Sequence, residues 1–507
     1  MLIKYIANLL FTLFLFQLST HAQLEPAQVT RKYFPEPDII IPTPAFAKDR
    51  GFTTHSEMIE FLKRIADKHS ELIQCEIAGC TQRGLDIPLI TIKNGNKKNK
   101  IKLFYFAGVH GNESAGIETL LYFIERMAGD PSLRYFLNKL EFYVLPMLNG
   151  DGVSDFTRLS ANGININRDM VTLNTPEATV LHEIVNKVQP HVIVDFHEYG
   201  PYHERYSALS STKMMIPWDV MFLFSSNPNV TTELRDIVAD PFLSNAMTEM
   251  EKYGLTHHIY YASSLTPQGI SFMSGNNSPV YTVTNFALRN AISLLIETRG
   301  IGLERTSLKR RIFAAHLLAT RVAKTSYDNI HLVLNILAKS EKSKGDIVTN
   351  YSTEKTKIEL PFINASDNEI EKIIVNADLA YRTTPNKKQY MPQAYLLLPE
   401  QVKVVELLKK MGTEVIVLEK ETTIKVQCFA VQSLEQTNPV SEKSIIFNAI
   451  DTVVNFPSGT HCIPTNQKNI RLLSVLLEPE STDGWVHQGI IDVKINKELP
   501  IYKKYTD

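Results

Sequence analysis

The sequence predicts a three-layer α/β/α sandwich on a mixed, mostly parallel sheet, followed by a smaller α+β or β-rich domain. Three observations carry this reading. Short apolar, β-branched runs alternate with amphipathic helical runs from residue 54 to about residue 340, as in strands joined by crossover helices. Those strand runs are apolar throughout, as in strands covered on both faces. After the polar stretch 339–344 the texture changes to short strands with one clear helix. A chain of 507 residues is also too long for one ordinary domain.

In chain order, Thr54 and Glu57 have the spacing of a capping box, and Met58, Phe61, Leu62 and Ile65 then form the apolar stripe of a helix. Residues 72–77 and 87–92 read as strands joined by a turn at Gln82-Arg83-Gly84. Residues 101–108 read as a buried strand and 114–127 as a helix. Residues 140–145 form a further strand, ending in the polar loop Asn149-Gly150-Asp151-Gly152. Residues 175–188 are helical, with Pro176 in the first turn. Residues 191–196 make a strand that ends on His197-Glu198-Tyr199-Gly200, and 291–296 another that ends on Glu297-Thr298-Arg299-Gly300. Residues 307–340 are mostly helical. A domain boundary is placed near 345–351. Beyond it, strands are expected at 356–363, 394–398, 414–418, 424–430 and 471–477, with a helix at 400–411. No ligand-like cluster stands out there, and His461-Cys462 reads as an ordinary loop.

The domain plan is therefore a signal peptide at 1–22, an extended, proline-bearing segment at 23–48, a main domain at 49–345 and a C-terminal accessory domain at 350–507. Lys4, the apolar run 6–18 and the small residues Thr20-His21-Ala22 match a secretion signal too short to span a bilayer. A secreted or periplasmic location is expected, with no stable membrane anchor. A net charge of -1 argues against nucleic acid or an anionic membrane as the main partner. The 4 cysteines are too few for a disulfide scaffold and include no Cys-x-x-Cys pair, which disfavours a cysteine zinc site.

The chemistry centres on Val109-His110-Gly111-Asn112-Glu113, between a strand and a helix, where open α/β sheets place their sites. A histidine and a glutamate three residues apart can close on one metal ion. With 14 histidines in the chain, one His-x-x-Glu is about what composition supplies by chance, so its weight must come from other residues. A catalytic zinc takes three protein ligands and keeps one position open. His197, at the end of another strand, is the natural third. A base near the metal but not bound to it is also needed. Glu297 ends a strand and fits, although an ion pair with Arg299 is a competing role. Developing negative charge and a substrate carboxylate call for guanidinium groups, and Arg158 and Arg168 lie in the long loop region before residue 175.

At these residues the chain resembles the M14 family of zinc metallocarboxypeptidases, of the carboxypeptidase A kind. The matching pieces, in order, are His110-Gly111-Asn112-Glu113; Asn149-Gly150-Asp151-Gly152 with Arg158; Gly163-Ile164-Asn165-Ile166-Asn167-Arg168-Asp169; His197 after Val194-Asp195-Phe196; and Glu297-Thr298-Arg299. The resemblance covers residues 49–324. It implies one Zn2+ on His110, Glu113 and His197, with Glu297 as general base and then acid. It further implies Arg158 as oxyanion stabiliser, Asn167 and Arg168 as the grip on a C-terminal carboxylate, and peptide or protein C-termini as partners. The chain departs from the family at Asn165, where aspartate is frequent, and at Asn149-Gly150, where many members have asparagine-proline. Tyr260, Tyr261 and Tyr281 are candidates for the family's substrate-capping tyrosine. Residues 280–283 fall where the side-chain pocket is expected and hold no carboxylate, which disfavours lysine or arginine ends. Two rival readings are a zinc amidohydrolase acting on cell-wall peptides or N-acyl amino acids, and an inactive relative that binds peptides or polymers.

Overall fold

The computed structural model describes residues 25–95, 99–267, 269–343, 345–435 and 444–505. The expected signal peptide at 1–22 lies outside the described residues.

The central sheet has eight strands: β1 (Ile73–Cys80), β2 (Asp86–Ile92), β3 (Ile101–Ala107), β4 (Leu140–Leu145), β5 (Val192–Tyr199), β6 (Val220–Phe224), β7 (His257–Ile259) and β8 (Ile292–Arg299). Their spatial order is β1-β2-β4-β3-β5-β8-β6-β7. The central pairs β4–β3, β3–β5 and β5–β8 are parallel, as is β6–β7, while β1–β2, β2–β4 and β8–β6 are antiparallel. The sheet is thus mixed, with its parallel part at the centre.

Alternation along β3 shows the layers directly, because successive side chains point to opposite faces. Tyr105 points to one face, where its hydroxyl donates to the Ala319 carbonyl (2.8 Å) and its ring meets Phe123 edge-on. Those residues belong to the helices Leu308–Asp328 and Ser114–Gly129, which pack on each other. Phe106 points the opposite way and meets Phe286, in the helix Thr282–Leu288, which also touches His182 of the helix Pro176–Val188. Helices therefore cover both faces, and the three-layer expectation holds.

Local signals behave as their chemistry requires. Thr54 caps the helix His55–Lys68 through a complete capping box with Glu57, a device worth about 1 kcal/mol. Met58, Phe61, Leu62 and Ile65 are the buried stripe of that helix. Some segments differ from expectation: Gly150–Asp155 is a short helix and His461–Pro464 a strand, where loops were expected. Ala27–Tyr33 is a helix, not extended chain, because the prolines that block helix begin only at Pro35. Ile470–Leu477 is a helix, not a strand. A short run that is apolar apart from Arg471 and Ser474 has little periodicity to separate the two, and here all of it but Arg471 is buried.

A second sheet of five strands crosses between the two halves of the chain. The long hairpin Ile347–Asn364 and Glu369–Gln389 forms its middle, flanked by Met214–Met215 on one side and by Gly269–Met273 and Ala262–Thr266 on the other. A third sheet of six strands belongs wholly to residues after 390, and its interior strand Ile501–Lys504 lies between Ala394–Leu397 and Thr422–Glu435. One apolar cluster runs from Met58 through the central sheet to Trp485 and Ile501, so the two halves share a core. No helix among the described residues is long and apolar enough to cross a membrane. The 4 cysteines are unpaired.

Candidate metal centre and its surroundings

β3 ends at Ala107, and the chain turns through Gly108 (φ +67°) into Val109-His110. Gly111 packs backbone to backbone on Gly152. A Cβ at Gly111 would lie 1.9 Å from the Gly152 carbonyl carbon, so only glycine fits. The two glycine motifs of the sequence are therefore the two sides of one contact. Asn149 ties the contact down, donating its Nδ2 to the carbonyls of Val109 (3.4 Å) and Leu159 (3.1 Å). That bond brings the Arg158 segment beside His110.

Three ligand-type residues meet here. His110, Glu113 and His197 are buried, and one candidate ligand atom from each lies within 4.8 Å of the others. His110 Nδ1 is 2.7 Å from Glu113 Oε1, and His197 Nδ1 is 2.8 Å from Glu113 Oε2. The two Nδ1 atoms are 3.1 Å apart. Two imidazole nitrogens facing each other across a carboxylate are what a shared cation requires. Tetrahedral zinc with bonds of about 2.0–2.1 Å sets its ligand atoms about 3.3 Å apart, close to the spacing found. The residues present fit zinc.

The imidazole rings are held from behind, as metal-binding histidines usually are. Nε2 of His110 lies 3.1 Å from Asn165 Oδ1. Nε2 of His197 lies 2.9 Å from Asp195 Oδ2, an ion-pair contact off the line of a good hydrogen bond. Asp195 Oδ2 also accepts from the Thr282 hydroxyl (2.6 Å). Both contacts turn Nδ1 toward the shared point. Burial pushes the Glu113 carboxyl up, but the His110 and His197 charges outweigh it and hold it well below the usual range. At His197 burial favours the neutral ring, yet Asp195 and Glu113 win and raise its pKa well above the ordinary value. Burial lowers His110. The cluster thus favours positive charge beside a carboxylate.

Glu297 stands in parallel register beside His197, on the neighbouring strand and the same face. Its Oε2 is buried without a hydrogen-bond partner. Burial, reinforced by the negative charges of Glu113 and Asp195, pushes its carboxyl up to about 8 against the pull of His197 and Arg158. The competing pairing with Arg299 is absent: Arg299 is bound by Glu25. Arg158 donates to Glu113 Oε1 (3.0 Å) while remaining accessible at the rim.

Asn167 and Arg168 lie on the short turn Ile166–Arg168. Asn167 Oδ1 accepts the backbone N–H of Thr282 (2.9 Å), which fixes the amide plane. The Arg168 guanidinium stacks 3.9 Å over the Tyr281 ring, worth about 1 kcal/mol at such a site. Burial draws its pKa down, and the like charge of Arg158 adds to this. Of the three tyrosines, Tyr260 and Tyr281 are at the site. Tyr260 is shifted upward, first by burial and then by Glu297, and it also feels Arg158 and Arg168. Tyr261 interacts instead with Tyr381 in a separate apolar cluster. Leu223, Val283 and Leu295 pack together against Tyr260 and Tyr281.

The three ligand candidates, Glu297, the two arginines and Asn167 are thus brought together with Tyr260 and Tyr281, and Tyr261 is not. The sequence reading assigned no role to Asp195, Asn165 or Thr282. For Asp195 a signal existed, since residues two apart on a strand share a face and it stands two before His197.

The chain is similar to known proteins over part or most of its length. Residues 58–174 match the Peptidase_M14 family, described as zinc carboxypeptidase. Carboxypeptidase 2 of Trichophyton rubrum is 26% identical over 528 residues, spanning 96% of this chain and 95% of that protein. Carboxypeptidase SOL1 of Arabidopsis thaliana is 27% identical over 25% of this chain and 27% of its own. Among solved structures, a metallo-carboxypeptidase from Burkholderia cenocepacia aligns with a TM-score of 0.40 and 18% identity, covering 53% of this chain and 69% of that one.

Proposed function

We propose that the chain is a zinc metallocarboxypeptidase of the M14 kind that removes C-terminal residues, with Glu297 as the general base. The observation that carries this is the buried Glu297 Oε2, which has no hydrogen-bond partner, on the strand beside His197 of the buried His110, Glu113 and His197 cluster. Bound by those three residues, zinc would supply a Lewis acid for the scissile carbonyl and for the attacking water.

The remaining work falls to the protein's own groups. Arg168 takes the substrate's terminal carboxylate through its planar guanidinium, and the Asn167 amide donates to the same group. Tyr281 under Arg168 keeps the guanidinium oriented. This cation favours a free C-terminus, because an amide there leaves it without a counter-charge. Glu297 accepts the proton of the attacking water on a carboxylate oxygen and then gives it to the leaving amine nitrogen. Its raised pKa suits both steps, since a carboxylate of ordinary pKa holds a proton too weakly to return it. Arg158 donates N–H bonds to the oxyanion. The apolar cluster of Leu223, Val283 and Leu295 favours apolar C-terminal side chains over lysine or arginine.

All these residues lie within 49–345, which we assign as the catalytic domain. On the strength of residues 1–22 we place the enzyme outside the cytoplasm, secreted or periplasmic. The test is a profile of amino acids released from peptides with free or amidated C-termini, with and without a chelator. Chelator-sensitive release from the free ends alone supports the proposal, and equal cleavage of amidated peptides overturns it in favour of an amidohydrolase.

A further inference from the structure

We propose that the C-terminal domain completes the substrate-carboxylate grip, with Trp485 as a positioning residue for the loop that carries Asn167 and Arg168. This rests on the reading of Asn167 and Arg168 given above.

The loop from Asn165 to Thr175 has little regular structure, so its shape depends on the bonds made to it. At the Met170 carbonyl two come from the catalytic domain, from His182 Nε2 (3.0 Å) and Asn285 Nδ2 (3.1 Å). The next carbonyl, that of Val171, accepts from Trp485 Nε1 at 3.1 Å. Trp485 is 0% exposed, and its N–H crosses from the far end of the chain to a point three residues beyond Arg168. Its own backbone is fixed, because Trp485 N–H donates to the Leu476 carbonyl (2.8 Å) at the end of the helix Ile470–Leu477.

That helix supports the other side of the grip. It packs against the helix Thr282–Leu288. Thr282 opens the second helix and donates the backbone N–H that fixes Asn167. Both contacts that aim the carboxylate-binding pair are therefore backed by residues beyond 469. A bidentate guanidinium grip tolerates little displacement, so loss of one buried bond to the loop is read first in carboxylate affinity. The substrate grip and the accessory domain form one mechanical unit.

The test compares the full-length zinc enzyme with Trp485→Phe, which keeps an aromatic ring and loses the donor. A second variant carries the benzothiophene isostere of tryptophan at position 485, which removes only the N–H. Binding of N-acetyl-L-leucine and of its amide is measured by calorimetry, alongside kcat, KM and bound zinc. The expected result is about tenfold weaker binding of the acid and an equal rise in KM, the scale of one buried hydrogen bond. Amide binding, kcat and zinc content should stay within about twofold, a pattern that general loosening of the fold would not give. Unchanged acid affinity in a folded variant overturns the inference. If Trp485→Phe does not fold, the isostere carries the same comparison. Arg168→Ala separates the two readings: if it abolishes the preference for acid over amide while the position-485 variants keep full preference, only the role of Trp485 fails. If the parent enzyme binds acid and amide equally, the reading of Arg168 fails first.

Discussion

Arg299 stands two residues after Glu297 on the same strand, and its guanidinium is bound by Glu25, leaving Glu297 without an arginine of its own. The consequence runs through the whole site. A base paired with a neighbouring cation would be too weak to move protons. Here that cation is taken by a residue from the start of the described chain, and burial lifts the Glu297 carboxyl to about 8.

Glu297→Gln should retain zinc and lose at least about 100-fold in kcat, the lower end for a general base. The base works only when deprotonated, so activity rises with pH through its pKa. A bound cation favours the carboxylate and draws that rise below pH 8. Steady-state rates from pH 5 to 9, with metal analysis, check this. A variant with wild-type turnover refutes the assignment.

Glu25→Ala should destabilise by about 3–5 kcal/mol, because it strands a buried guanidinium. Glu25 and Arg299 are both almost fully enclosed, and the Arg299 guanidinium also lies 4.1 Å over the Phe34 ring. Adding Arg299→Met to Glu25→Ala removes the stranded charge and should recover part of the loss. Urea unfolding of the two single variants and the double variant measures it; additive losses would show that the pair is not coupled.

Asn165→Ala should weaken zinc binding about 10-fold or more with little effect on folding, since it removes the acceptor behind His110 Nε2. Asn165→Asp, a stronger acceptor, should bind zinc at least as tightly as the parent. Competition with a chromophoric chelator gives both constants, and equal affinity in the alanine variant would show that Asn165 does not orient the ring.

Stability should fall in mild acid, and His182 should account for part of it. It is buried, its Nε2 donates to the Met170 carbonyl, and its Nδ1 accepts from Arg289 (2.8 Å). Burial, with the Arg289 cation adding to it, lowers its pKa to about 3 from the ordinary 6.5. The unfolded chain therefore takes up a proton that the folded one refuses, and stability is lost as pH drops from 6.5 toward 3. From pH 7 to pH 5 this group alone costs about 2 kcal/mol. His182→Gln should flatten that slope in urea titrations at the two pH values; an unchanged slope assigns it to other groups.

Much of this was legible in the sequence, for a physical reason. The ligands, the base and the arginines sit at strand ends or on a motif-bearing loop, and the strands that carry them are apolar runs, whereas Val220–Phe224 and His257–Ile259 of the same sheet went unread. The capping box at Thr54 and the helix stripe from Met58 were readable to the residue. What could not be read depends on distant pairings. Glu25 reaches Arg299, Trp485 reaches Val171, and neither contact leaves a periodicity or spacing in the chain. The same holds for the hairpin of 347–389, whose strands pair into a sheet begun more than 70 residues earlier. In the helix Ile470–Leu477 all residues but Arg471 are buried, which leaves little pattern to distinguish helix from strand.

The strand Ile501–Lys504 is interior to its sheet, with a neighbour on each edge. A chain still missing those residues would present two open edges at Ala394–Leu397 and Thr422–Glu435, and the core shared with Ile501 would stay unclosed. Because that core reaches back through Trp485 to the Val171 carbonyl, the shape of the Arg168 loop is tied to the seating of a strand more than 300 residues further along the chain.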